Sequence, residues 1–140
     1  MERPTIADYP PGTRLPPRVI EDFEFVWMLS GQAAFLASEE MTLRPGQLLL
    51  VPPGVRHGFV WDERRPSRHG YVHFRDDDVG REVAPEIRLV PMSSADPLTG
   101  LCAHLLWIGR SDHEDWESWA HRTLQFMVTL VEFGPTAQYP

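Results

Sequence analysis

The pattern of hydrophobic positions divides the chain into two parts with different periods. From about residue 18 to residue 90, short runs rich in β-branched and aromatic residues alternate with turn signals, which predicts strands. The predicted strands cover residues 23–28, 33–37, 47–51, 57–61, 68–75 and 86–90. The turn signals are Ser30-Gly31, Arg44-Pro45-Gly46, Pro52-Pro53-Gly54 and Asp76-Asp77-Asp78. Many short strands at this spacing are typical of a β-sandwich or a small β-barrel.

After Pro91 the apolar positions follow a helical period. Asp96-Pro97 is typical of a helix start, and Gly109 is typical of the end of that helix. The stretch Ser111-Asp-His-Glu114 resembles a capping box, and Gly134-Pro135 is a matching stop signal. The sequence therefore predicts a second helix over residues 112–133.

The second predicted helix is apolar around most of its circumference. Between Leu124 and Phe133 only Gln125, Thr129 and Glu132 are polar. A helix that packs on one side against a barrel needs an apolar stripe of only about 100°, so we expect the excess to be buried against the same helix of a second subunit in a homodimer. Burial on both sides within its own fold is the alternative. The predicted interface residues are Phe126, Met127, Leu130, Val131 and Phe133.

The N-terminus is rich in proline. The first 17 residues contain five prolines, which cannot donate to a sheet ladder or continue a helix. We therefore expect a proline-rich extended arm over residues 1–17, a β-barrel over residues 18–91 and a two-helix dimerisation segment over residues 92–134.

Composition restricts the classes of partner. Among the 140 residues, 13 basic residues, all arginine and scattered along the chain, face 20 acidic ones, for a formal net charge of −7. This distribution is poor for gripping nucleic-acid phosphates. No apolar run approaches the roughly 20 residues that span a bilayer, and the N-terminus lacks the apolar core of a signal peptide. We expect a cytoplasmic protein without membrane contact, in which the single cysteine, Cys102, is a buried hydrophobe.

One segment carries a specific pattern of glycine, proline and histidine. Gly46-Gln-Leu-Leu-Leu-Val-Pro52-Pro-Gly54-Val-Arg-His57 reads as a tight turn, a buried strand, a second turn and a strand that opens with a histidine. The segment resembles the second conserved motif of the cupin superfamily, with Trp61 at the position where asparagine is frequent. The resemblance implies a mainly β, cupin-like double-stranded β-helix, which is a jelly-roll barrel, followed by the two predicted C-terminal α-helices.

The first cupin motif is present only in part. Glu24 to Gly31 fits its spacing of a glutamate, six residues and a glycine, but Arg18 and Ile20 occupy the positions of its two histidines. Of the usual four metal ligands the chain keeps only Glu24 and His57, and two protein ligands hold a transition metal poorly. We therefore expect no metal, no cofactor and no catalytic residue of the usual cupin enzymes.

A closer resemblance is to the N-terminal effector-binding domains of AraC-type transcription regulators. Residues 25–74 carry it, in the stretches Val-Trp-Met-Leu-Ser-Gly-Gln-Ala-Ala-Phe, Leu-Arg-Pro-Gly-Gln-Leu-Leu-Leu-Val-Pro-Pro-Gly-Val-Arg-His and Arg-His-Gly-Tyr-Val-His-Phe. These domains combine a proline-containing arm, a degenerate cupin barrel and two pairing helices in this order. The resemblance implies a homodimeric sensor of a small-molecule effector, with DNA bound by a C-terminal helix-turn-helix domain that is absent from this chain.

Strand alternation predicts which side chains face the ligand. If Glu24 and His57 point inward, residues two and four positions further along each strand do so too. The AraC resemblance also places sugar-contacting positions of arabinose-responsive members at Ser30, Phe59, His69 and Tyr71, where Ser30 and Phe59 lack the matching chemistry for arabinose. We expect instead a flat or partly apolar metabolite with one or two hydrogen-bonding groups. The candidate ligand-binding residues are Arg18, Glu24, Met28, Ser30, His57, Phe59, Trp61, His69, Tyr71 and His73.

Several positions have a structural interpretation beside the functional one. A barrel this small fills itself with side chains, so Met28, Phe59 and Trp61 are equally consistent with core filling. The opposite face of the first predicted strand is expected to pack under the helices and to meet Trp107, Trp116 and Trp119 there. The run Asp76-Asp77-Asp78 has the composition of a solvated turn and is assigned no function.

Two other classes of function remain open. A stand-alone cupin enzyme would use a metal held by Glu24, His57 and His69, or would use His57 as a general acid or base without metal. The absence of both histidines of the first motif is the main argument against it. A small sugar-binding or structural cupin without a regulatory partner is the third possibility.

Overall fold

The computed structural model describes residues 1–134, so that Pro135 of the predicted helix stop lies outside the described residues. These residues form nine strands and three helices. The strands are β1 (Thr5–Tyr9), β2 (Arg14–Val19), β3 (Phe23–Ser30), β4 (Ala33–Leu36), β5 (Glu40–Leu43), β6 (Gln47–Val51), β7 (Arg56–Trp61), β8 (Ser67–Phe74) and β9 (Arg88–Pro91). The helices are α1 (Asp76–Val79), α2 (Pro97–Arg110) and α3 (Trp116–Phe133).

The strands form two antiparallel sheets. One sheet has the order β1-β8-β3-β6-β9, and the other has the order β2-β7-β4-β5. Neighbouring strands are mostly distant in sequence, as expected for a jelly roll, in which strands return by long connections. The mainly β, cupin-like jelly roll with C-terminal helices is therefore confirmed.

Side-chain alternation along β3 separates two hydrophobic cores. Val26 and Met28 lie in the core between the sheets, together with Phe35 and Phe59. The alternate face of β3 packs instead against α2 and α3, as predicted. The β3 residues on that face are Phe23, Phe25 and Trp27.

The sequence predicts that Trp107, Trp116 and Trp119 lie in the core between β3 and the helices, and two of them do. Trp116 and Trp119 are half-buried against this core. Trp107 is 53% exposed, so its predicted burial is wrong. It stacks on Trp119 from outside, with ring centroids 6.0 Å apart.

The expected N-terminal arm is built into the sheets. β1 pairs with β8 and β2 pairs with β7, so residues 5–9 and 14–19 are edge strands of the two sheets. Proline is tolerated here because an edge strand leaves one row of backbone groups unpaired. Pro16 and Pro17 lie at the register shift between Leu15 and Arg18, where the ladder is already interrupted.

Three local features differ from the predicted elements. Residues 40–43 form the additional strand β5, and Asp76-Asp77-Asp78 forms the first turn of the short helix α1, which Gly80 ends with a φ of 72°. The capping-box stretch does not start a helix: Ser111 Oγ accepts from the His113 amide, but α3 begins only at Trp116, with Asp115 as its N-cap.

Helix α3 buries more of its apolar surface within its own fold than the interface prediction assumed. Met127 and Val131 are at most 1% exposed and belong to the core beneath the helices, so these two predicted interface residues are wrong. Phe126 and Phe133 are 52% and 61% exposed, and Leu130 is half-buried. In residues 1–134 no helix has the length and apolarity that crossing a membrane requires.

Candidate functional site

One end of the barrel holds a histidine between two carboxylates, a group that we call the His73 bridge: Asp22, His73 and Glu24. His73 Nδ1 lies 2.8 Å from Asp22 Oδ1, and His73 Nε2 lies 3.3 Å from Glu24 Oε2. β3 and β8 produce this contact, because their register places Glu24 directly opposite His73. A protonated imidazole donates through both ring nitrogens, so it satisfies both carboxylates at once.

The electrostatics of the bridge favour the charged imidazole. Burial disfavours the charge, but the hydrogen bonds and charges of Glu24 and Asp22 outweigh it and raise the pKa of His73 to about 9. Glu24 is only 4% exposed, so its carboxylate needs these partners. His73 is therefore an imidazolium at neutral pH and links the buried Glu24 to the half-buried Asp22.

Arg18 adds a second positive charge beside Glu24. Its guanidinium lies 3.8 Å from Glu24 Oε1, and Arg18 pairs with His57 across β2 and β7. Arg18 stands where the first cupin motif has a histidine ligand, so a fixed cation occupies the position from which a ligand would hold a metal. Within residues 1–134 no three histidine, cysteine or acidic side chains are arranged to hold a metal ion. The residues present do not fit a metal site.

Earlier on β8, an aromatic cluster lies in the barrel interior; it consists of Tyr9, Phe59, Trp61 and His69. Tyr9 stacks on Trp61 with ring centroids 3.7 Å apart, and its hydroxyl lies 2.9 Å from His69 Nε2. Trp61 also stacks on Phe59, at 5.5 Å. The cluster joins strands from both sheets, since β1 and β8 belong to one and β7 to the other.

The aromatic cluster keeps its titratable groups neutral. Burial lowers the pKa of His69 to about 4, against a weaker opposing effect of the Glu24 charge. Burial, followed by the neighbouring Tyr71 and Glu24, raises the pKa of Tyr9 to about 12. The barrel interior is thus uncharged around His69, whereas the His73 bridge, four residues further along the same strand, is ionic.

Several buried polar atoms of this region have no hydrogen-bond partner among the described residues. They are His57 Nε2, Trp61 Nε1, His69 Nδ1, Glu24 Oε1 and Arg18 Nε. His57 is fully buried, and its Nδ1 lies 2.9 Å from the Val55 carbonyl oxygen. Because a carbonyl oxygen only accepts, Nδ1 donates to it, and Nε2 on the other side of the ring is left without a partner. Buried polar atoms are rarely left unpaired in native proteins, so this concentration marks the region as a candidate binding site.

A surface cleft lies beside the His73 bridge. Its volume is about 480 Å³, and it lies where the start of β3 meets the end of β8. Its lining contains both cationic and acidic side chains, including Arg18, Asp22, His73 and Arg75. The cleft brings solvent to the ionic end of the candidate site.

The structure brings together most of the predicted site residues. Glu24, His57, Phe59, Trp61 and His69 are buried in the barrel, as is Met28, while Tyr71 and His73 are half-buried beside them. Ser30 is not part of this group. The register of β3 against β8 shifts between Met28 and Ser30, and this β-bulge turns Ser30 to the exposed surface.

Two residues of the site were absent from the sequence prediction. Tyr9 was overlooked because the prolines around β1 suggested a segment outside the barrel. Asp22 precedes β3 and carried no motif. The segment Thr5–Tyr9 has no regular alternation of polar and apolar residues, so the sequence offered no clear signal for a strand there.

The first comparison concerns the class of protein. Residues 5–69, just under half of the chain, match the family model for the cupin domain. This segment includes most of the strands of the barrel together with Glu24, His57 and His69. No curated protein sequence matches the chain.

The second comparison concerns particular solved structures. Unsaturated fatty acid-bound ToxT from Vibrio cholerae strain SCE256 is similar, with a TM-score of 0.64 and 11% identity over 94% of this chain and 54% of that one. ToxT from Vibrio cholerae O395 gives a TM-score of 0.66 at 9% identity, again over 94% and 54%. YhaK from Escherichia coli gives 0.53 at 18% identity over 63% and 40%. These similarities concern the fold, and the chain spans about half the length of the ToxT structures.

Proposed function

We propose that this chain is the effector-sensing and dimerisation domain of a cytoplasmic AraC-type transcription regulator. The observation that carries the proposal is the set of unpartnered buried polar atoms of His57, Trp61 and His69 inside an aromatic barrel. Leaving such atoms unpaired costs stability, and a ligand that paired with them would recover this cost. The proposal assigns that role to a small-molecule effector.

The arrangement of the polar atoms suggests the chemistry of the effector. Trp61 Nε1 is a donor, and His57 Nε2 is an acceptor when its ring is neutral. Rings from Tyr9, Phe59 and Trp61 supply apolar contact area. A flat or partly apolar metabolite with one acceptor and one donor group fits this environment. The ligands in the ToxT structures, an unsaturated fatty acid and (E)-4-(8-methylnaphthalen-1-yl)but-3-enoic acid, belong to this broad class.

The order of the structural parts supports the regulatory assignment. A barrel closed by the N-terminal strands and followed by α2 and α3 has the organisation that the AraC resemblance implies, and this organisation matches ToxT along most of the chain. In the proposal, the exposed side of α3 pairs two subunits. A helix-turn-helix domain that follows these helices in the full regulator binds DNA.

A stand-alone cupin enzyme is the second candidate. The fully buried, unpartnered Nε2 of His57 favours it, because a general acid or base needs such an atom free to meet a substrate. In the enzyme, a bound small molecule would be converted to product, whereas the sensor returns it unchanged. Mass spectrometry of the ligand after prolonged incubation separates the two candidates.

The test of the sensor proposal is ligand binding at Trp61. A panel containing an unsaturated fatty acid, an aromatic carboxylic acid, a phenol and arabinose is titrated into the protein by calorimetry. We expect saturable binding of at least one partly apolar compound and none of arabinose. Trp61→Phe should weaken that binding about tenfold, because the loss of one hydrogen bond costs about 1 to 1.5 kcal/mol.

Trp107→Phe is the matched control, because Trp107 is exposed on α2 and lies outside the barrel. It should bind with unchanged affinity, and both variants should keep the wild-type circular dichroism spectrum. Equal affinities of the wild-type protein and the Trp61→Phe variant would remove Trp61 from the effector site. Absence of binding by every compound would contradict the expected ligand class.

A further inference from the structure

A second cavity lies outside the barrel, between the end of β3 and helix α2. Its volume is about 310 Å³. From the helix it is lined by Thr99, Cys102, Ala103, Leu106 and Arg110, which recur at three- and four-residue spacing and so form one stripe along α2. From the barrel it is lined by Trp27, Met28, Leu29, Gly46 and Met92. We call this cavity the α2 groove.

The lining of the α2 groove is apolar except at its ends. Its centre consists of aliphatic, thiol, thioether and indole groups, and no acidic residue of the described chain, residues 1–134, contributes to it. At one end the Thr99 hydroxyl already donates to the Ser93 carbonyl oxygen. At the other end Arg110 is the only charged lining residue, and it has no ion pair among residues 1–134. In a chain with a net charge of −7, an unpaired arginine beside an apolar groove fits an anionic ligand.

The shape of the groove favours a linear ligand. From Thr99 to Arg110 the stripe extends for about 16 Å at ~1.5 Å per residue. The β-bulge of β3 leaves Leu29 42% exposed at the rim of the groove. Leu29 adds apolar surface on the barrel side of the groove, opposite Ala103 and Leu106 of the helix.

We propose that the α2 groove is a second small-molecule site that binds an amphipathic monocarboxylate with a linear alkyl tail. The tail lies along α2 between Leu29 and Leu106, and the carboxylate pairs with the Arg110 guanidinium, which can bind it in a bidentate manner. This site shares none of the unpartnered atoms of the barrel interior, and of the barrel candidates it shares only Met28, whose side chain packs between the sheets. It therefore stands independently of the proposed effector site.

The test uses decanoate, kept below the concentration at which it forms micelles, as the probe in calorimetric titrations. We expect saturable binding to the wild-type protein. Arg110→Gln should weaken it at least tenfold by removing the charge, and Ala103→Phe should abolish it by filling the groove from an exposed helix position. Decyltrimethylammonium, with the same tail and the opposite charge, should not bind.

Two controls assign the binding to this groove. Arg122→Gln removes an exposed arginine of α3 outside the groove and should change the affinity less than twofold. Trp61→Phe alters the barrel interior and should leave decanoate binding unchanged. Wild-type protein without saturable binding, or an Arg110→Gln variant with wild-type affinity, would overturn the proposal. Loss of binding only in Trp61→Phe would place decanoate in the barrel, which supports the effector site and overturns the α2 groove.

Discussion

Two histidines on β8, four residues apart, respond to pH in opposite directions. Asp22 and Glu24 outweigh burial and raise the pKa of His73 to about 9, whereas burial in the aromatic cluster lowers the pKa of His69 to about 4. An unfolded histidine titrates near 6.5. His73 therefore binds its proton more tightly in the folded state than in the unfolded state, and His69 binds it less tightly.

These pKa shifts predict a maximum of stability near pH 6.5. The stabilisation from His73 is complete below pH 6.5 and is lost as the pH rises toward 9, because the folded state then holds the extra proton. The contribution of His69 is complete above pH 6.5 and is lost as the pH falls toward 4, because the unfolded state then binds the extra proton. Urea unfolding at half-unit pH intervals from 4 to 9 measures the decrease in the free energy of unfolding on both sides of pH 6.5.

Single variants separate the two histidines. His73→Gln should flatten the decrease in stability between pH 6.5 and 9, and His69→Gln should flatten the change between pH 6.5 and 4. A wild-type free energy of unfolding that did not fall between pH 6.5 and 9 would contradict the His73 bridge. If the His73→Gln variant kept the decrease in stability between pH 6.5 and 9, another titratable group would be its cause.

At the scale of the elements, the contact between β3 and β8 requires a glycine at position 70. A Cβ added to Gly70 would lie 2.6 Å from the Trp27 indole, which rests against the strand at this point. The two residues are opposite each other in the register, Trp27 with Gly70. Because Gly70 has no side chain, the Trp27 indole fits against β8 and packs in the core between the barrel and the helices.

Gly70→Ala should lower the free energy of unfolding by about 1 to 3 kcal/mol, which is the usual cost of overpacking a well-filled core. Gly100→Ala is the matched control, because Gly100 lies within α2 and an added Cβ there has no atom within 4 Å. It should raise stability by about 0.5 to 1 kcal/mol through helix propensity. Urea unfolding of both variants measures the difference, and a Gly70→Ala variant as stable as wild type would show that the indole moves aside at little cost.

At the scale of the whole molecule, the exposed flank of α3 is the candidate surface for self-association. Phe126 is 52% exposed there, and half-buried Trp119 and Leu130 lie one or two turns away on the same face. Trp107 of α2 extends this apolar surface by stacking on Trp119. Apolar patches that join several large side chains are typical of protein interfaces.

We predict that the wild-type chain sediments as a dimer and that Phe126→Asp weakens the dimer at least tenfold, because the substitution places a charge in the apolar interface. Gln125→Asp, which places the same charge at the adjacent exposed position on α3, should leave the dimer intact. Analytical ultracentrifugation measures both, with the thermal midpoint as the check on folding. A Phe126→Asp variant that remained dimeric would place the interface elsewhere, and a monomeric wild-type chain would contradict the homodimer.

Local sequence by itself determined the strands and helices that carry strong patterns. The segment from Gly46 to His57 predicted the jelly roll through its resemblance to a cupin motif, and its glycines and prolines set the turns on either side of β6. Period-two alternation along β3 correctly separated Val26 and Met28 from Phe25 and Trp27. These properties depend on a few neighbouring residues, so the sequence was sufficient for them.

Only the tertiary structure decided the features that depend on pairing between distant segments. β1 became a strand because β8 offered it a partner, and this placed Tyr9 on Trp61. The bulge in β3 moved Ser30 out of the site, and packing against the barrel buried Met127 and Val131 in place of a second subunit. Long-range register and burial are not encoded in local spacing, because each depends on which surface the rest of the chain presents.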